Sequence, residues 1–165
     1  MVEFIEAEEL QQLLLEKTIG VKVVDVRDED WNGGGHIRGA TNVPSSTAFW
    51  NEEERAEQLA EFVHSMSEDA SLVVLHCAQS RQRGPRCAEK FVETLEKLSN
   101  LEKKTAVKVL RGGFELWKER NFEVEACEVE AGGRCAAGGG GAARVGGVGG
   151  VDGVDGEEDE KAESD

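Results

Sequence analysis

Apolar positions along the chain follow two alternating rhythms. Dense β-branched runs at residues 21–27 (VKVVDVR), 71–76 (SLVVLH) and 106–110 (AVKVL) carry the signature of strands. Between them the apolar residues are spaced by three and four, as on one face of a helix. In AEELQQLLLEK, residues 7–17, that spacing groups Leu10, Leu13 and Leu14. Residues 51–64 (NEEERAEQLAEFVH) read as a helix capped by Asn51, with acids in the first turn. GPRCAEKFVETLEKL, residues 84–98, aligns Cys87, Phe91, Leu95 and Leu98, and puts Pro85 near the first turn, where a missing N–H costs nothing. GGFELWKER, residues 112–120, is a short helix behind a glycine pair. EFI at residues 3–5 is a candidate edge strand, and GGGHIRGATNVP is loop-like with a short extended piece at ATNV. Strands alternating with helices predict an α/β domain of three layers, with a mostly parallel central sheet covered on both faces. SLVVLH is apolar at consecutive positions and therefore belongs in the middle of that sheet.

The pattern stops near residue 131. Twelve of the twenty glycines follow it, and the sequence closes on DGEEDEKAESD. Such a segment cannot bury a core, so the expected organisation is one domain over residues 1–131 and a disordered Gly-rich acidic tail over 132–165. The tail's three basic and eight acidic residues, net −5, leave the first 131 residues at −10 of the total −15. A domain this acidic repels phosphate backbones and anionic membranes, so neither nucleic acid nor a membrane is an expected partner. The start, MVEFIEAEEL, lacks the cationic and apolar regions of a signal peptide, and no apolar run approaches membrane-spanning length. The expected location is cytoplasmic, or cytoplasmic and nuclear. Thiols stay reduced there, which makes Cys77, Cys87, Cys127 and Cys135 free, catalytic or metal-bound rather than disulfide-bonded.

Against that acidity, LHCAQSRQRGPR at residues 75–86 gathers Arg81, Arg83 and Arg86 beside Cys77. The cysteine ends a buried strand and a helix opens near Gly84, so the intervening loop lies outside the carboxyl end of the sheet, where α/β proteins bind ligands. A loop wound tightly at a helix N-terminus turns successive amides inward and holds an anion, and the same field favours a thiolate at Cys77. Arg83 adds a planar fork for two oxygens of a phosphate-like group, geometry that lysine lacks. The alternative is a buried strand-end cysteine beside solvated arginines. The flanking strand and the Gly84-Pro85 helix start favour the functional reading.

HCAQSRQRGPRCAEKF resembles the active-site segment of the single-domain rhodanese-fold family that includes the M-phase inducer (dual-specificity) phosphatases and the related eukaryotic arsenate reductases. VVDVRDED followed by GGGHIRGATNVP is similar to the first half of a rhodanese domain, and VLRGGFELW to its last strand and helix, so the likeness spans residues 3 to 122. It implies a rhodanese-like domain with Cys77 as nucleophile and Arg83 as oxyanion clamp. The amides across Ala78, Gln79, Ser80, Arg81 and Gln82 to Arg83 would form the cradle. No bound cofactor or metal is expected.

Three reactions share such a loop. Sulfurtransferases of the fold typically have a loop one residue shorter, which ranks sulfur transfer third. The inducer phosphatases typically carry glutamates directly after the cysteine and directly before the arginine, where this chain has Ala78 and Gln82. A phosphomonoester needs its leaving oxygen protonated, and the loop offers no acid. Arsenate needs only to lose water before a second thiol attacks the bound arsenic. The acid-free, cationic loop favours arsenate reduction, with the dual-specificity phosphatase as the alternative. The resemblance then implies glutathione or glutaredoxin as external reductant, and a phosphoprotein partner under the alternative. A binding-only module is opposed by the intact Cys77 and Arg83.

Other residues carry plainer expectations. His76 neighbours Cys77 on a strand and faces the opposite side, so it packs or orients the strand end. His36, among glycines, makes a structural hydrogen bond. Asp25 and Arg27, two apart, form a structural ion pair, while Asp28, Glu29 and Asp30 form a solvated acidic surface. His64 ends an amphipathic helix. Cys87 faces the core and is not a resolving thiol. Cys127 and Cys135 are only two where a closed structural zinc site requires four ligands, so no metal is expected there.

Overall fold

A computed structural model describes residues 1–50, 52–98 and 104–126. The predicted cap Asn51, Cys127, Cys135, the boundary at 131 and the tail at 132–165 lie outside the described residues.

Five strands form the central sheet. β1 (Glu3–Ile5), β2 (Val21–Asp25), β4 (Thr41–Asn42), β5 (Leu72–His76) and β6 (Ala106–Leu110) run in the order β1-β6-β5-β2-β4, every neighbouring pair parallel. β5 is central, with Val24 opposite Leu75 on one side and Leu75 opposite Val109 on the other. Successive strand residues point to opposite faces, so the apolar runs feed two cores. Val24, Val73, Leu75 and Val109 pack with Phe91, Cys87 and Val63 of α3 (Glu52–Glu68) and α4 (Arg83–Lys97). Val23, Val74 and Leu110 pack with Leu10 of α1 (Ala7–Leu15) and with Phe114 and Trp117 of α5 (Gly113–Glu119). Each fully buried side chain such as Phe91 stabilises the fold by about 1.5–3 kcal/mol through burial.

The expected strands and helices are present, with three adjustments. α3 runs four residues past His64, which is exposed on its surface. A one-turn helix, α2 (Ser45–Ala48), and a 3-10 turn at Glu29–Asn32 occupy stretches without helical periodicity. β3 (His36–Ile37) pairs antiparallel with β7 (Val124–Glu125), a small second sheet fastening the segment after α5 to the loop before β4.

Candidate active site

β5 delivers Cys77 to the carboxyl edge of the sheet, between the ends of β2 and β6. Its side chain is almost wholly covered, and the Ser80 N–H donates to Cys77 Sγ at 3.2 Å. In return the Cys77 N–H donates to Ser80 Oγ at 3.4 Å. Ser80 sits in the left-handed region, at φ 52°, which few non-glycine residues adopt. That turn curls the loop back on the sulfur before Arg83 opens α4.

α5 braces the loop from the other side. The Phe114 and Glu115 N–H groups donate to the carbonyls of Cys77 and Ala78 at 3.0 and 2.9 Å. Both carbonyls are thereby engaged by α5, outside the loop. Gly113 permits the approach: at φ 60°, an added Cβ would lie 2.5 Å from the Cys77 carbonyl oxygen and 2.6 Å from that of Ala78. Gln79 Nε2 donates to Glu115 Oε2 at 2.8 Å, tying the loop's exposed shoulder to the same helix. Arg81 and Gln82 are exposed, and Arg86 stacks on the Trp50 ring at 4.6 Å.

Beneath the cysteine, His76 is fully buried, and burial pulls its pKa below the ordinary value although Asp25 works in the opposite direction. The neutral ring sets Nδ1 3.2 Å from the Cys77 carbonyl, with Nε2 3.5 Å from Asp25 Oδ2 and without a hydrogen bond. His76 therefore orients the strand end, as expected. Asp25 and Arg27 form the expected buried ion pair, with Arg27 Nε 2.9 Å from Asp25 Oδ2. Arg27 also donates to the Gly35 carbonyl and lies 4.0 Å from the Phe114 ring centre. His36 is buried against Trp31, its Nε2 3.3 Å from Glu125 Oε2, an ion-pair distance at which neither ring nitrogen completes a hydrogen bond. Cys87 is fully buried, and burial pushes its thiol up to about 12, with the nearby Cys77 adding to the shift.

Two expectations are corrected: the His36 ring makes no structural hydrogen bond, and the acids that follow β2 are engaged. Asp28 and Asp30 are not merely a solvated acidic surface: although both reach solvent, both grip Arg83. Arg83 Nη1 donates to Asp30 Oδ1 at 2.9 Å and Nη2 to Asp30 Oδ2 at 2.6 Å, a two-pronged pair, while Nη1 also reaches Asp28 Oδ2 at 3.1 Å. Glu29 remains exposed. The arginine expected to clamp an oxyanion thus holds a carboxylate in this structure. The hydrogen bond from Arg83 holds the Asp30 carboxyl below the ordinary carboxylate value. For Asp28 burial works upward, but hydrogen bonds from the Ser46 N–H, Ser45 and Arg83 outweigh it, and the carboxyl ends below its ordinary value. The signal was legible in the topology: DED lies just beyond the carboxyl end of β2, after Val26 and Arg27, and adjacent parallel strands such as β2 and β5 open onto the same rim.

The rhodanese-like domain family matches residues 6–120. The chain is a member of that family. The dual specificity phosphatase Cdc25 of Arabidopsis thaliana is 32% identical over 127 residues, covering 76% of this chain and 82% of that protein. Arsenical-resistance protein 2 of Saccharomyces cerevisiae is 32% identical over 123 residues, covering 72% and 89%. The As-Sb reductase structure from Leishmania major superposes with a TM-score of 0.59 at 34% identity, covering 73% of this chain and 79% of that one. This rhodanese-like chain is accordingly a cysteine enzyme of the family whose relatives include both arsenate reductases and dual-specificity phosphatases. Among its described residues there is no cluster that could hold a metal ion, and no helix long and apolar enough to cross a membrane.

Proposed function

We propose that the protein is an arsenate reductase that acts through a Cys77 thiolate and draws electrons from glutathione and glutaredoxin. Cys77 Sγ attacks the arsenic of dihydrogen arsenate while the oxyanion rests on the loop amides from Ala78 to Arg83, and one hydroxyl leaves as water with the proton of the other. A glutathione thiolate then forms a sulfur–sulfur bond with Cys77. The electron pair of the sulfur–arsenic bond stays with arsenic, arsenite departs, and glutaredoxin with further glutathione reduces the mixed disulfide. Arsenic gains two electrons and the two thiols lose them.

The reading is carried by the state of the acids around the loop. Ala78 to Gln82 contain no carboxyl group, and the two that reach Arg83, Asp28 and Asp30, are held below their ordinary values by hydrogen bonding. A general acid for an alkoxide leaving group requires the opposite shift. Arsenate needs no such acid. The phosphatase reading stays second, supported by the similarity to a dual specificity phosphatase at 32% identity.

The test is a parallel assay of wild type and Cys77→Ser for glutathione- and glutaredoxin-dependent arsenite production, phosphopeptide hydrolysis, and sulfur transfer from thiosulfate. Arsenite production that disappears with Cys77→Ser is the expected result, together with poor phosphopeptide turnover and better hydrolysis of activated aryl phosphates. Gln82→Glu should raise phosphatase activity relative to arsenate reduction by supplying an acid. Efficient phosphopeptide hydrolysis without thiol-dependent arsenite production would put the phosphatase first.

A further inference from the structure

The two acids on Arg83 are held differently. Asp28 keeps other partners whatever Arg83 does: Ser45 Oγ donates to it at 2.8 Å and the Ser46 N–H at 2.9 Å. Besides Arg83, the Asp30 carboxylate is held by backbone amides of its own turn, the Asp28 N–H at 2.9 Å and its own N–H, and by no other side chain among the described residues. Its two oxygens meet the two guanidinium nitrogens as a pair, the arrangement in which a phosphate or arsenate would present two oxygens to the same fork. The pair is also within reach of solvent, with Arg83 33% and Asp30 40% exposed. A partly exposed ion pair contributes little net stability, so a second anion can compete for it.

We propose that Asp30 is an internal competitor for the oxyanion site. Its carboxylate fills the Arg83 fork in the resting enzyme and is displaced by the incoming oxyanion, while Asp28 stays fixed and acts as the pivot on which Arg83 turns. The inference rests on reading Cys77 to Arg83 as an oxyanion loop, but not on which oxyanion is turned over. Asp30 is a positioning residue: it acts on substrate only through Arg83. Its effect is on affinity, raising the oxyanion concentration needed to fill the loop.

The experiment measures how inorganic phosphate protects Cys77 from iodoacetamide, at fixed pH and ionic strength, read by mass spectrometry of the Cys77 peptide in full-length protein. Relative to wild type, Asp30→Asn and Asp30→Ser should lower the phosphate concentration for half-protection by about fivefold, equivalent to about 1 kcal/mol. In an Arg83→Met background Asp30→Asn should change nothing, because no fork remains to compete for. A half-protection concentration that is unchanged or higher in both Asp30 variants overturns the proposal and makes Asp30 a static brace. Should the variants fail to fold, the Arg83 side-chain NMR resonance of the wild type decides: it should move with phosphate along the protection curve, and a resonance that stays still while Cys77 is protected refutes the exchange. Protection needs no turnover, so a protein that fails to reduce arsenate yet shows these shifts loses the proposed activity and keeps this inference. If neither phosphate nor arsenate protects Cys77 in any variant, the oxyanion loop itself is refuted, and the competitor with it.

Discussion

Gly113→Ala is the substitution that most directly tests how α5 supports the loop. Two effects add. At φ 60° an alanine is placed in the left-handed region, at a cost of about 1–2 kcal/mol. Its Cβ would also stand 2.5 Å from the Cys77 carbonyl oxygen and 2.6 Å from that of Ala78. Both are backbone atoms, so no side chain can swing away. Either α5 retreats and weakens the bonds from Phe114 and Glu115, or the loop shifts on β5, and overpacking of this kind costs about 1–3 kcal/mol. The expected loss in denaturant unfolding is therefore about 3 kcal/mol. Gly39→Ala isolates the backbone effect, since Gly39 has φ 72° with nothing within 4 Å of an added Cβ, and should lose only about 1 kcal/mol. Activity should separate the two further. The clash falls on the carbonyls of the loop itself, so Gly113→Ala should lose at least tenfold in kcat/KM under conditions where it is fully folded, and Gly39→Ala should stay near wild type. Equal stability losses for the two variants, or a folded Gly113→Ala enzyme with wild-type kinetics, would refute the bracing role assigned to α5.

The Cys87 thiol, pushed up to about 12 by burial, should resist iodoacetamide at pH 8 in the native protein and react once it is unfolded; Cys87→Ala should keep turnover within about twofold and cost about 1 kcal/mol. Labelling of native Cys87, or loss of turnover in that variant, would show that it takes part in the chemistry. The Asp30 carboxyl is depressed in the folded state, chiefly by the hydrogen bond from Arg83, so the stability it contributes is present above its unfolded value of about 3.9 and is lost as pH falls through the lower folded value. The stability difference between wild type and Asp30→Asn should accordingly hold from neutral pH to about 5 and shrink below about 3.9; a difference that is constant down to pH 2 contradicts the pairing with Arg83.

How far the sequence carried the site depends on the range of the interactions involved. Cys77, Ser80 and Arg83 fall within one strand-loop-helix connection, whose geometry follows from a buried apolar strand and a Gly-Pro helix start, and that connection is present, with Ser80 bonded to Cys77 and Arg83 opening α4. The partners of that loop come from elsewhere. Asp28 and Asp30 arrive from just beyond β2, and their charges read as surface because nothing local to DED indicates that an arginine fifty-five and fifty-three positions away packs on them. Gly113 was legible as one of a glycine pair ahead of a short helix, but its task of admitting two carbonyls of another segment is a tertiary fact. The antiparallel pair β3 and β7 escaped for a similar reason. Two-residue strands carry no period, and the pairing is fixed by Glu125, which reaches His36, Arg38 and the Gly39 N–H.

The parallel order β1-β6-β5-β2-β4 has a consequence for how the enzyme comes into being. β1, at the start of the chain, adds to the sheet only by pairing Glu3 with Lys108 and Ile5 with Leu110, after nearly the whole domain has been synthesised. Every strand contact that frames the Cys77 loop likewise joins segments far apart in sequence, so the entropy of closing long loops is spent before the contacts that reward it exist. Folding should be correspondingly slow for a chain of this size, and no amino-terminal fragment that stops short of β6 and α5 should hold the loop in shape. Recovery of activity during refolding should therefore coincide with the last step of sheet assembly, and a ribosome-bound chain ending before Leu110 should have Cys77 but no formed loop around it.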